Sequence, residues 1–241
     1  MVDIVEKEGR PVRLRPFDES GVVRGTDGVL HYTNRPTSVL EMLRASVESD
    51  PSHPAVIEFG GDRVDYQQLW DRSAQVAGGL VAEGITRGDR VAIRLGNGLD
   101  WVLAFFGTLM AGGVVVPVNT RFTEAESGYL VGDSEAAYVF ESGRELLDGW
   151  PVVAEGLGSD DLAAIFYTSG TTGSPKGAMT THECFLSNSE TARRVRGLEG
   201  REIRTLVSVP LFHVTGCNSQ LLALPLSLTS FFLICIIMLL F

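Results

Sequence analysis

Tyr167-Thr-Ser-Gly-Thr-Thr-Gly-Ser-Pro-Lys-Gly-Ala-Met-Thr-Thr-His182 decides how this chain is read. A short apolar run, Leu162 to Tyr167, leads into it and is bounded upstream by Gly158-Ser159-Asp160-Asp161, a pattern that predicts a buried strand. A strand that empties into a Gly/Ser/Thr loop exposes backbone N–H groups at its end. Gly170, Gly173 and Gly177 let that backbone curl close to a ligand without Cβ clashes. Thr168, Ser169, Thr171, Thr172 and Ser174 add hydroxyl groups, and Lys176 adds a mobile positive charge. Many fixed dipoles around one compact cation suit a polyphosphate.

Two better-known phosphate motifs do not fit. The P-loop needs Gly-Lys-Ser/Thr at its end, whereas Pro175 precedes Lys176 and Gly177 follows it. The Gly-x-Gly-x-x-Gly dinucleotide fingerprint is absent from the stretch. A flexible Gly/Ser linker needs neither a lysine nor a flanking strand, so that reading explains less of the sequence.

Working outward, 241 residues suffice for one large domain or two small ones. The chain is 44% hydrophobic and 21% charged, as globular proteins are. Its net charge of −10, with no Lys/Arg-rich run, argues against a nucleic-acid partner, because phosphate backbones attract basic faces. Cys184, Cys217 and Cys235 show no metal-ligand spacing, and the acidic N-terminus has no apolar core of a secretory signal. Both features suggest a reduced, cytoplasmic protein.

Residues 1–36 are polar with scattered Gly and Pro, and read as an arm lying on the domain. Thr37-Ser38 then caps a helix through Val39, Leu40, Leu43 and Val47. Strands are expected at 55–59, 89–93, 114–116, 136–140 and 203–209. Helices are expected through 66–80, 98–110, 124–131 and 182–195. Strands alternating with helices predict an α/β fold of layered, mostly parallel sheets with flanking helices.

The stretch from Tyr167 to Gly177 resembles the phosphate-loop signature of the adenylate-forming enzymes: acyl-CoA synthetases, luciferases and peptide-synthetase adenylation domains. Leu109-Met-Ala-Gly-Gly-Val-Val-Val-Pro-Val-Asn119 is similar to a second signature of that family, and Pro210-Leu-Phe-His-Val-Thr-Gly216 to a third. On its own chemistry the segment around Gly112, Gly113 and Pro117 reads as scaffold, since nothing there titrates or coordinates. The resemblance spans residues 37–221 and implies the N-terminal part of an AMP-binding domain.

It also implies an activity. A small carboxylic acid, a fatty acid being the favoured class, would be activated by ATP to an acyl-adenylate and passed to a thiol, commonly coenzyme A. ATP would be held by Thr168, Ser169, Gly170, Thr171, Thr172, Gly173 and Lys176. Thr168 would help to hold Mg²⁺. Lys176 would neutralise the leaving pyrophosphate, and His213 would face the acid pocket. His182 reads as a packing residue at a loop end. Cys217 has no neighbouring base in sequence, which leaves a thiol nucleophile the weaker idea.

Residues 222–241 carry no charge and depart from the family pattern. They read as an apolar tail of non-family character. A bilayer anchor and a buried core helix are the alternatives; Pro225 and the missing basic flank argue against the anchor. The family's hinge and catalytic lysine lie downstream of the matched region. The expectation is therefore an incomplete, inactive fragment, with a non-catalytic ATP-loop domain as the rival reading. Exchange of labelled pyrophosphate into ATP separates turnover from mere binding.

Overall fold

The structure, a computed structural model, describes residues 4–7, 10–13, 17–168, 174–196, 203–222 and 232–236. The N-terminal region holds two antiparallel hairpins, β1 (Ile4–Lys7) with β2 (Arg10–Arg13) and β3 (Val22–Arg24) with β4 (Leu30–Tyr32). Then follow α1 (Val39–Ser49), β5 (Pro54–Glu58), β6 (Arg63–Asp65), α2 (Tyr66–Ala82), β7 (Arg90–Arg94), α3 (Leu99–Met110), β8 (Val114–Pro117), α4 (Glu124–Asp133) and β9 (Ala136–Glu141). The chain continues with β10 (Leu162–Thr168), β11 (Lys176–Thr181), α5 (His182–Arg196), β12 (Ile203–Val207), a π-helical turn (Thr215–Leu221) and β13 (Phe232–Ile236).

The main sheet has five strands in the order β11-β10-β8-β7-β9. β10, β8, β7 and β9 run parallel, and only β11 is antiparallel, at the edge. A second sheet, β12-β13-β5-β6, is parallel except for its β5–β6 hairpin. The layered α/β architecture is the one expected from the alternating strands and helices.

The core is organised around α3. Every residue of this helix except Asp100 is buried, as expected of a helix that is apolar on all sides. Trp101 stacks on Phe105 at 5.4 Å between ring centroids. Phe105 meets Phe185 of α5 edge-on at 6.2 Å, and Phe185 meets Phe166 of β10 at the same distance. This aromatic chain ties the core helix to the end of the strand that delivers the Gly/Ser/Thr loop, through contacts worth roughly 0.5–1.5 kcal/mol each beyond area burial.

The helix starts show why these segments begin where they do. Ser38 accepts from the Glu41 N–H at 3.1 Å, and the Glu41 carboxylate accepts in turn from the Thr37 N–H and hydroxyl. Asp65 with Gln68, and Thr123 with Glu126, form reciprocal capping boxes on α2 and α4. On α2, Gly78 and Gly79 leave room for the chain at Leu147–Trp150 to cross directly over the helix. There the Gly149 N–H bonds Gln75 O and the Val152 N–H bonds Ala74 O, both at 3.0 Å.

Three departures from the sequence expectations stand out. The arm contains hairpins, and β3–β4 is tied to α5 by His31 with Glu183 at 2.7 Å and by Arg194 over the Tyr32 ring at 4.5 Å. A strand begins at Lys176, where only irregular loop was expected. Residues 232–236, within the apolar run read as a tail, pair in parallel with β12 on one side and β5 on the other. A short continuous apolar run does not reveal by periodicity whether it is a strand, a buried helix or a tail. Among the described residues no helix is long and apolar enough to cross a membrane.

Candidate functional site

The carboxyl ends of β8 and β10 emerge side by side on one edge of the main sheet, where open α/β sheets place ligands. A cleft of about 500 Å³ opens there. Asn119 lies on it just beyond β8, Leu130 reaches it from α4, Phe166 and Thr168 end β10 against it, and Phe212 and His213 close the far side. Thr168 and His213, picked from separate segments of sequence, thus line one cavity. Ser169, Gly170, Thr171, Thr172 and Gly173 lie outside the described residues.

Lys176 is exposed and stands opposite Thr168 in the β10–β11 ladder. The Gly/Ser/Thr segment therefore joins two hydrogen-bonded strands, and Thr168 and Lys176 are held in register across them. Gly177 is required here for space: a Cβ would come within 2.7 Å of Ile165 Cγ2 and 3.3 Å of the Tyr167 ring, which lies across it.

His213 is carried by a turn that sequence reasoning did not anticipate. Asn97, between Gly96 and Gly98 at the end of β7, donates from Nδ2 to Val209 O at 3.0 Å. Its Oδ1 accepts the Leu211 N–H at 2.7 Å. One amide side chain thus satisfies both backbone groups flanking Pro210, and Gln220 Oε1 accepts from the Ser208 and Val209 N–H groups at 3.2 Å. Gly216 packs where any side chain would strike the Pro210 carbonyl. Nδ1 of His213 accepts the Thr215 N–H at 3.1 Å, so a neutral ring carries its proton on Nε2 and serves as a donor. The signal for Asn97 was its place between two glycines at a parallel strand's carboxyl end.

His182 is a packing residue, as read from the sequence. It is 1% exposed, and its Nδ1 accepts the Val39 N–H at the start of α1 at 3.2 Å. Burial pushes its pKa down to about 4 against a weaker opposing pull from Asp161. Cys217 is fully buried, and burial pushes its thiol far above the ordinary range, which removes it as a nucleophile. Among the described residues no group of three His, Cys, Asp or Glu side chains could hold a metal ion.

A cleft at the carboxyl edge of a mostly parallel sheet, lined by Thr168 and His213, is where an α/β domain of this kind binds its ligand. More specifically, the chain belongs to the AMP-binding enzyme family, whose model matches residues 43–150 and 141–233. Its relatives include the long-chain-fatty-acid–CoA ligase FadD13 of Mycobacterium tuberculosis, 31% identical over an alignment of 209 residues that covers 74% of this chain. The chain spans about two fifths, 41%, of that relative's length. The inhibitor-bound N-terminal domain of FACL13 from Mycobacterium tuberculosis aligns with a TM-score of 0.69 at 26% identity, covering 83% of this chain and 57% of that one. ATP-bound MatB from Rhodopseudomonas palustris aligns with a TM-score of 0.64 at 26% identity, covering 80% of this chain and 44% of that one.

Proposed function

We propose that this cleft holds the phosphates of ATP beside a small carboxylic acid, a fatty acid being the favoured class, in an acyl-CoA synthetase reaction. The observation that carries the reading is the meeting of Thr168 and His213 on one cavity at the strand ends. The kinship with a fatty-acid–CoA ligase and the fold shared with an ATP-bound relative support it.

In the first step a carboxylate oxygen bonds to the α-phosphorus as the bond to the bridging oxygen breaks, and pyrophosphate leaves with the electron pair. In the second, the thiol of coenzyme A attacks the acyl carbon and AMP departs. Thr168 and the residues after it, Ser169 to Gly173, would cradle the β- and γ-phosphates. Lys176 would balance the charge that builds on pyrophosphate, a task of positioning and electrostatic stabilisation. The Nε2–H of His213 would donate to the acid or to the acyl-adenylate.

Mg²⁺ fits this site only as an ion carried mainly by phosphate oxygens and water, with the Thr168 hydroxyl as a protein ligand. Bound there, it would offset phosphate charge. The free thiols of Cys184 and Cys217 agree with a reducing, cytoplasmic setting.

The test is calorimetric titration of MgATP into the protein and into Lys176→Ala. The reading expects saturable binding that inorganic pyrophosphate competes away, about tenfold weaker in the variant at an unchanged melting temperature. MgATP binding that ignores both pyrophosphate and Lys176, or no binding at all, would overturn it.

A further inference from the structure

The described structure places a pair of polar side chains beneath the β10–β11 hairpin that no catalytic role above uses. Tyr129 and Asp133 are four residues apart on α4, and so share one face of that helix. Tyr167, one residue before Thr168, donates its phenol O–H to Asp133 Oδ2 at 2.6 Å. Tyr129 donates its phenol O–H to the carbonyl of Pro175, one residue before Lys176, at 3.3 Å, and lies 3.5 Å from Asp133 Oδ1. A single helix face therefore meets the hairpin at Tyr167 on β10 and at Pro175 just before β11, next to Thr168 and Lys176 respectively.

The surroundings make this grip directional. The Tyr167 ring lies over Gly177, its register partner, and packs against the buried cluster of Ala92, Val116, Val118 and Leu130, which limits the freedom of its hydroxyl. Burial and the Asp133 carboxylate push the phenol well above its ordinary range, which keeps it a donor. α4 itself is held by the Thr123–Glu126 capping box and by buried Leu130, which also lines the cleft. Thr168 and Lys176 face each other at the open end of the ladder. They are the last register pair at that end among the described residues.

We propose that Tyr129 and Asp133 are positioning residues that act through Tyr167 and Pro175 to set Thr168 and Lys176 for phosphate binding. The inference rests on the phosphate reading of the cleft. It adds a device that the phosphate-loop signature does not contain, because both residues lie outside the stretch from Tyr167 to Gly177.

The test compares wild type, Tyr129→Phe, Tyr167→Phe, Asp133→Ala, Asp133→Asn and the Asp133→Ala/Tyr167→Phe double variant. Two readouts are taken: hydrogen exchange of the β10 and β11 amides without nucleotide, and MgATP affinity. Exchange near Thr168 and Lys176 is expected to accelerate in the Phe and Ala variants while α3 amides stay protected. MgATP affinity is expected to fall about fivefold per lost hydrogen bond. The double variant should be no worse than its weaker parent, and Asp133→Asn, which keeps an acceptor oxygen, should recover part of the affinity. Unchanged exchange overturns the anchor regardless of nucleotide. Accelerated exchange with unchanged MgATP affinity overturns the positioning role. Accelerated exchange in a protein whose wild type binds no MgATP overturns the phosphate reading and leaves the anchor standing.

Discussion

Acid should weaken this protein through His182 in a way that can be isolated. The ring is buried, and its Nδ1 must stay unprotonated to accept the Val39 N–H. Its pKa is lowered from 6.5 to about 4, so the unfolded chain takes up a proton before the folded one does as pH falls. For a group with a depressed folded pKa of this kind, the unfolded state binds more protons between those values, and stability rises with pH across that window. The contribution is complete above about pH 6.5 and is lost progressively down to pH 4. At 1.36 kcal/mol per pH unit the full loss is about 3 kcal/mol, and roughly 2 kcal/mol of it is gone by pH 5. His182→Asn keeps an acceptor near the Nδ1 position and cannot titrate. Urea unfolding of both proteins at pH 7 and pH 5 gives a double difference from which the other titrating groups cancel. The prediction is that wild type loses about 2 kcal/mol more than the variant over that interval. Equal losses would show that the ring is not held neutral by its burial, and the reasoning would fail.

Other substitutions probe the same architecture. Gly78→Ala would ordinarily stabilise a helix by up to about 1 kcal/mol, but here its Cβ meets the Trp150 carbonyl, so urea denaturation should show a loss of about 1–3 kcal/mol instead. Asn97→Ala strands the Val209 carbonyl and the buried Leu211 N–H; it should cost about 1–3 kcal/mol and speed hydrogen exchange at the Leu211 amide. A thiol reagent read by peptide mass mapping should label exposed Cys184 in the native protein and reach Cys217 only after unfolding.

The legible parts of this fold were those whose signals are local. α3 announced itself as an unbroken apolar helix between Gly98 and the Gly112-Gly113 stop, and β10 as an apolar run between two polar clusters. β11 stayed hidden because its first four residues, Lys176 to Met179, are exposed on an edge strand and show no alternation of apolar and polar positions. β13 lay in a run whose uniform apolarity is compatible with several structures. The cleft was legible as two motifs, one ending β10 and one around His213, but not as a constructed site. Asn97 bridging the Pro210 turn, and Asp133 receiving the Tyr167 hydroxyl, join segments distant in sequence, and nothing local to either residue reports its partner.

The central claim is that one cleft receives both the acid and the nucleotide, with His213 on the acyl-adenylate and Lys176 on the departing phosphates. Calorimetric titration of a non-hydrolysable acyl-sulfamoyl adenosine, alongside MgATP, tests it most directly in wild type, His213→Ala and Lys176→Ala. The mimic lacks β- and γ-phosphates. The account therefore predicts saturable binding that His213→Ala weakens about tenfold and Lys176→Ala leaves nearly unchanged, while Lys176→Ala weakens MgATP. A mimic that fails to bind, or that binds His213→Ala as tightly as wild type, would contradict it.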